Sequence, residues 1–161
     1  MSIERFTGVG GFLALYRGLR VRLPGDLAAR DAAAEAFERL GFPGRRDEAW
    51  KYTNVRPLAE VAFHEPLSTV EDNRYLAGVP RVAEKRLVFV DGRYRPDLSD
   101  AAPAWFRSFQ DEPGFGVLVR PDRDVMVALN TMLAEDGARL AVPEGVDAGM
   151  IQIAAVNGSG G

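Results

Sequence analysis

Apolar residues recur at helical spacing in three stretches of this chain. Phe12, Leu15, Tyr16 and Leu19 share one face while Arg17, Arg20 and Arg22 lie opposite, which predicts an amphipathic helix from about Gly11 to Val21. Pro24-Gly25 then breaks the chain, and Asp26 is placed to accept a free backbone N–H in the first turn of a second helix, Leu27 to Leu40. That helix is rich in alanine, which loses no side-chain entropy on becoming helical, and its apolar stripe is Leu27, Ala33, Ala34, Phe37 and Leu40. Gly41-Phe42-Pro43 ends it: glycine accepts the left-handed conformation, Phe42 can fold back on Phe37, and proline forbids continuation. A third helix follows Pro121, capped by Asp122 or Asp124, with Val125, Met126, Leu129, Met132 and Leu133 on its apolar face.

Elsewhere the apolar positions run together in residues that mostly favour strands. Leu87-Val88-Phe89-Val90 is such a run, and Asp91-Gly92 supplies two residues that tolerate positive φ, so a tight hairpin returns through Arg93-Tyr94-Arg95. Pro96 limits the return strand, and Leu98-Ser99-Asp100 begins another turn or a helix cap. Val117-Leu118-Val119, Arg139 to Val142 and Met150 to Val156 are further strands, the last two separated by the turn Pro143-Glu144-Gly145-Val146. Val55 to Phe63 is a loop with a short helix or strand around Leu58 to Phe63, and His64 to Glu84 is a polar surface connection. The closing strands carry Leu140, Val142, Ile151, Ile153 and Val156 without an evident neighbour, so they are expected to self-associate through exposed edges, to stay disordered, or to fold back on the helices.

Composition narrows the chemistry sharply. The length of 161 residues fits about one domain with a real core, and no apolar run approaches the roughly 20 residues that cross a bilayer. Phe12 to Leu15 is too short for a signal-peptide core, so no membrane contact and a cytoplasmic location are expected. Cysteine is absent, which excludes disulfides, thiolate nucleophiles and cysteine-ligated clusters for this chain acting alone. His64 is the single histidine, and that removes most catalytic triads and nearly every zinc constellation. A net charge of -3 gives no global attraction to nucleic acid or acidic membranes. All basic residues except Lys51 and Lys85 are arginines, but they are spread along the chain, a distribution that fits codon usage better than phosphate recognition.

Two dense segments carry more identity than composition does. One is Arg46-Asp47-Glu48-Ala49-Trp50-Lys51-Tyr52-Thr53-Asn54; the other is Arg86-Leu87-Val88-Phe89-Val90-Asp91-Gly92-Arg93-Tyr94, leading to Asp97-Leu98-Ser99-Asp100. Together with the later helix and Arg139-Leu140-Ala141-Val142-Pro143-Glu144-Gly145-Val146, they resemble the N-terminal region of the SufB/SufD family of iron–sulfur cluster assembly proteins, on its SufD side, over roughly residues 26 to 156. The resemblance implies a helical N-terminal domain followed by a long right-handed parallel β-helix, with Leu140 to Val156 entering its first rungs. The expected fold class is therefore α+β: an N-terminal domain over residues 1–138 with a small hairpin-based sheet, and the start of a truncated β-helix with a Gly/Ser tail over 139–161. The implied role is a non-catalytic scaffold that joins SufB and the ATPase SufC, on whose complex a nascent cluster is built. In that family the cluster-associated residues and the SufC-binding surface lie in later regions, so the resemblance assigns no metal ligand, cofactor ligand or catalytic residue here.

The residues singled out as an interaction or structural motif are Arg46, Glu48, Trp50, Lys51 and Tyr52. On an extended backbone Trp50 and Tyr52 project to one side, either as an aromatic patch for a partner or, the preferred reading, as rings that brace the segment onto the helices or the adjoining β-helix. Arg45, Arg46, Lys51 and Arg56 beside two rings also outline an anion site, and an independent protein- or nucleic-acid-binding module over Arg45 to Arg56 is the rival function. Asp47 and Glu48 sit among those cations and are expected to offset their field. As adjacent residues they diverge, so ion pairing suits them better than acid–base catalysis on one bond. His64 reads as a solvated loop histidine. Gly8-Val9-Gly10-Gly11 lacks the strand and the Gly-Lys-Ser/Thr ending of a phosphate loop, and Met126 and Met132 read as core filling.

Overall fold

The computed structural model describes residues 7–44, 47–61, 74–108 and 119–157. The chain forms two compact units, each drawn from two stretches of sequence: Met1–Glu65 with Pro113–Ala134, and Pro66–Glu112 with Glu135–Gly161. The first is helical and the second is built on strands, so the architecture is α+β.

In the helical unit, α1 (Gly8–Leu19), α2 (Leu27–Leu40) and α5 (Val125–Leu133) enclose the core, and the short α3 (Arg56–Glu60) lies against α1. Phe12, Leu13, Tyr16, Leu19 and Leu23 meet Ala33, Phe37, Val125, Ala128 and Met132 there. Phe42 does fold back: its ring lies 5.5 Å from Phe37 and 5.7 Å from Phe12, closing a three-ring cluster with edge-on geometry at the Phe37 contact. Asp26 caps α2 through the Ala28 N–H at 2.9 Å, and Gly41, at φ 63°, ends it while its N–H reaches the Phe37 carbonyl. Of the two candidate caps for α5, Asp124 holds the role by accepting from Met126 and Val127; Asp122 instead pairs with Arg120.

Three expectations change in this unit. α1 starts at Gly8 rather than Gly11, because Gly8 takes φ 65° and opens the helix, and it stops at Leu19, leaving Val21 81% exposed. Leu27 and Leu40, at the ends of α2, are each 37% exposed. The middle of the stripe, Ala33, Ala34 and Phe37, is buried as expected, and Arg30, which is 0% exposed, joins it. Its Nε donates to the Pro24 carbonyl at 2.7 Å, Nη1 to Thr131 and Met132 at 3.1 and 3.2 Å, and Nη2 to Ala134 at 2.8 Å. Thr131 and Met132 belong to the last turn of α5, whose carbonyls have no partner within their own helix. Arg30 thus caps α5 from α2, with its positive charge at the negative end of the helix dipole.

The strand unit centres on β1 (Lys85–Val90), flanked by β2 (Arg93–Tyr94) and β5 (Ile151–Val156) in the order β2-β1-β5. Asp91 and Gly92, at φ 49° and 80°, make the expected hairpin turn and set Val90 opposite Arg93. β5 runs parallel to β1 in register from Lys85↔Ile151 to Val90↔Val156. A second ribbon pairs β3 (Phe106–Ser108) with β4 (Ala138–Leu140), antiparallel. The helix α4 (Arg74–Ala77) precedes the sheet. The two closing strands therefore each find one partner inside this chain, β5 on β1 and β4 on β3, and each lies at the margin of its described sheet. The sheets described have three and two strands and neither closes on itself. The second strand candidate, Val117 to Val119, falls at residues 117 and 118 outside the described residues.

β2 reaches only two residues along β1, and the rest of that edge is satisfied by the segment after it. The Arg95 N–H donates to the Val88 carbonyl at 2.8 Å, while Ser99 Oγ accepts from the Val88 N–H at 2.8 Å and donates to the Arg95 carbonyl at 2.7 Å. Asp100 takes the Arg86 N–H on its carboxylate at 2.6 Å and returns its own N–H to the Arg86 carbonyl at 2.9 Å. Asp97-Leu98-Ser99-Asp100 thereby stands in for a strand, which is the physical content of its place beside the Leu87 to Tyr94 run.

Two outcomes follow from these contacts. Arg30→Ala strands several buried carbonyls and is expected to lower unfolding stability by about 2–4 kcal/mol, with Arg30→Lys recovering only part, since one ammonium cannot span carbonyls that a planar fork serves. Urea denaturation checks this, and an alanine variant as stable as the parent would remove Arg30 from its role. Asp31 accepts from Arg20 at 2.7 and 2.5 Å and from the Tyr16 hydroxyl at 2.6 Å. Those donors, Arg20 first and Tyr16 second, hold its carboxyl down at about 2 against an ordinary 3.8, so its contribution is present above 3.8 and is lost as pH falls through about 2. Burial first, then Asp31, pushes the Tyr16 phenol up to about 12. Asp31→Asn should flatten the acid limb of a stability profile over that window and bring the Tyr16 absorbance titration down; a limb of unchanged slope would refute the coupling.

Candidate functional site

The segment after α2 is wound tightly. Gly44 donates its N–H to Asp47 Oδ2 at 2.6 Å, and the Asp47 N–H returns to the Gly44 carbonyl at 3.1 Å. A single 3₁₀ turn, Glu48–Trp50, follows, with Lys51 and Thr53 N–H groups bonded back to the Glu48 and Trp50 carbonyls. Asn54 Oδ1 then accepts the Arg56 N–H at 3.2 Å, an Asx-type turn that leads into α3 with Pro57 in its first turn. The backbone is therefore coiled where an extended chain was expected, and the alternation that placed both rings on one face does not apply. Trp50 is half-buried; Tyr52 is 92% exposed, with the Lys51 ammonium 5.4 Å from its ring centroid. Tyr52 is not packed as a brace within the described residues.

The coil sorts the charges of this segment to different sides of Trp50. One hollow, of about 390 Å³, has Trp50 and Tyr52 as aromatic wall, Lys51 and Arg56 as cations, and Pro43, Gly44, Thr53 and Asn54 as the remaining lining. A second, of about 240 Å³, takes Asp47 and Glu48 together with Arg123 and Asp124. Trp50 and Pro43 belong to both and form the partition between them. The acids were expected to cancel the field of the neighbouring cations; instead no carboxylate among the described residues lines the first hollow. Of the residues singled out from sequence, Trp50, Lys51 and Tyr52 come together in one place and Glu48 faces the other. Arg46, like Arg45 and His64, lies outside the described residues. Sequence reasoning missed Arg123 and Asp124 as neighbours of Asp47 and Glu48, since they come from the far end of the chain.

Much of the arginine excess is consumed locally. Arg20–Asp31, Arg81–Asp100, Arg93–Glu135, Arg95–Asp97 and Arg120–Asp122 are all ion pairs of 2.5 to 2.8 Å. Among the described residues no group of three or more His, Asp or Glu side chains is placed to hold a metal ion, and no helix is long and apolar enough to cross a membrane.

The coiled segment, the helix before it and the hairpin with its Ser99-Asp100 edge all fall inside residues 27–103, which match the family described as SufBD protein N-terminal region. Residues 27–103 thus carry an N-terminal region of the SufB/SufD family. The chain is 32% identical over 116 residues to the iron–sulfur cluster assembly protein SufD of Escherichia coli (strain K12), a match covering 66% of this chain and 26% of that protein. An iron–sulfur cluster assembly SufBD family protein of a Synechocystis species is 33% identical over 76 residues, covering 44% of this chain and 16% of the relative. The chain spans about a quarter or less of the length of the relatives it matches.

The different burial of the two rings gives a separable outcome. Trp50→Ala removes the partition and is expected to cost roughly 1–2 kcal/mol, whereas Tyr52→Ala should stay within about 0.5 kcal/mol of the parent. Denaturant midpoints of both variants measure this; equal losses would mean that Tyr52 packs after all.

Proposed function

We propose that this chain is the N-terminal part of a SufD-like scaffold subunit that acts without catalysis of its own, joining SufB and the ATPase SufC in the cytoplasm while a cluster is assembled on their complex. The observation that carries the reading is the family match over residues 27–103, which takes in both dense segments, together with the SufD likeness over 116 residues. The iron–sulfur cluster is cargo in this reading and no residue of the chain is assigned to it.

The sheet offers further support. β5 is parallel to β1 and forms one margin of the described sheet, while the other side of β1 is consumed by β2 and by the side chains of Ser99 and Asp100. Growth from β5 by further parallel strands is the arrangement a β-helix uses, and Ile153 on that strand is half-exposed. On that ground we propose that β5, within residues 139–161, opens such a structure, while β4 pairs antiparallel with β3 instead. The rival reading, an independent protein- or nucleic-acid-binding module over Arg45 to Arg56, draws on the aromatic and basic lining of the hollow beside Trp50.

Affinity-tagged protein in its full natural length, co-expressed with SufB and SufC of the same organism, is expected to retain both through gel filtration. Elution alone, with SufB and SufC forming their own complex, would overturn the scaffold reading.

A further inference from the structure

The hollow beside Trp50 has a composition that selects its ligand. We propose that it binds a carboxylate-bearing segment of a partner protein, with Lys51 and Arg56 holding the acid and Trp50 and Tyr52 covering the residues next to it. This rests on the reading of the chain as an interaction subunit and adds the chemistry of one contact.

Four observations converge. The two cations share a space of about 390 Å³, the size of a few side chains and well short of an extended groove. The acids of the same segment, Asp47 and Glu48, line the other hollow, with Asp47 engaged by the Gly44 N–H, and no described carboxylate lines this one, so its charge complement is left for a ligand to supply. Tyr52 holds a large ring in solvent at 92% exposure, and beside a half-buried Trp50 it offers apolar surface for the residues that flank a bound acid. The backbone is already fixed by the Gly44–Asp47 closure, the 3₁₀ turn and the Asn54 turn, so little ordering remains to oppose binding.

The same features disfavour a nucleic acid. A single strand needs a basic track several nucleotides long and open ring faces for stacking. Here there are two described cations, and the Lys51 ammonium sits over Tyr52. One carboxylate reached by a guanidinium fork and an ammonium is the better match.

The test uses the Trp105→Phe protein, so that Trp50 is the emitting indole, titrated with a capped peptide of alternating glutamate and leucine. A saturable change in Trp50 emission is expected, weakened at least tenfold by K51E/R56E at an unchanged melting temperature, weakened by added salt, and absent with the glutamine–leucine peptide. No saturable change at millimolar peptide, an equal response to the glutamine peptide, or tighter binding of a thymidine oligonucleotide would each overturn the inference. Retention of SufB and SufC by a protein whose hollow ignores the peptide would sink this inference alone. A responsive hollow in a protein that retains neither would sink the scaffold reading alone.

Discussion

The guanidinium of Arg30 is the constraint on which the helical unit depends. A fully buried cation is tolerated only when its donors are met, and here α2 aims them at carbonyls of the turn before it and of the last turn of α5. Each side solves the other's difficulty. The end of α5 leaves carbonyls that no residue of its own helix can reach, and the charge in the core needs acceptors that an apolar packing cannot give. The contact joins residues about a hundred positions apart, so it fixes which helices are neighbours as well as how tightly they pack. Leu23, Phe37, Ala128 and Met132 add area around it, but area alone would allow α5 to slide or rotate; directed hydrogen bonds do not.

The strand unit answers a similar difficulty by other means. β1 is buried on both faces, and a strand in that position must also have both edges satisfied. β5 meets one edge along its whole length. On the other, a two-residue hairpin strand is too short, and Ser99 and Asp100 supply the missing acceptors from side chains. Asp136 repeats the device by accepting from the Tyr94 N–H and from the Ser108 hydroxyl, tying β2 to β3. Small polar residues after a hairpin therefore carry as much of this sheet as its apolar run does, and replacing them by apolar residues of like size would leave N–H groups without partners.

What could be read in the chain beforehand follows from how local each cause is. α2 was legible at both ends because Asp26, Gly41 and Phe42 act within a few residues of the bonds they make. The Asp91-Gly92 turn was legible for the same reason, and so was the apolar face of α5. Arg30 was not: a charged residue in an amphipathic pattern counts as surface, and only the distant carbonyls of α5 make burial favourable. The pairing of β5 with β1 was hidden likewise, since parallel register is set by a partner far away in sequence. In the candidate site the residue types were legible and their arrangement was not. Trp50, Lys51 and Tyr52 stood out, but an extended chain and a 3₁₀ turn send neighbouring side chains in different directions, and the sequence between Gly44 and Asn54 holds no strong signal for either.

That difference in winding decides what the segment can do. Along an extended backbone, at roughly 3.3 Å per residue, Lys51 and Arg56 would stand about 16 Å apart and could not line one hollow beside Trp50. Wound as it is, the segment sets its acids against Arg123 and Asp124 on one side of the indole and its cations beside Tyr52 on the other. Trp50 is the residue that makes this separation hold, because its half-buried ring is the only large wall common to both hollows among the described residues. A smaller side chain there would merge the two spaces and let acid and base meet. The aromatic residue thus keeps an electrostatic distinction that its neighbours' charges, left to themselves, would erase.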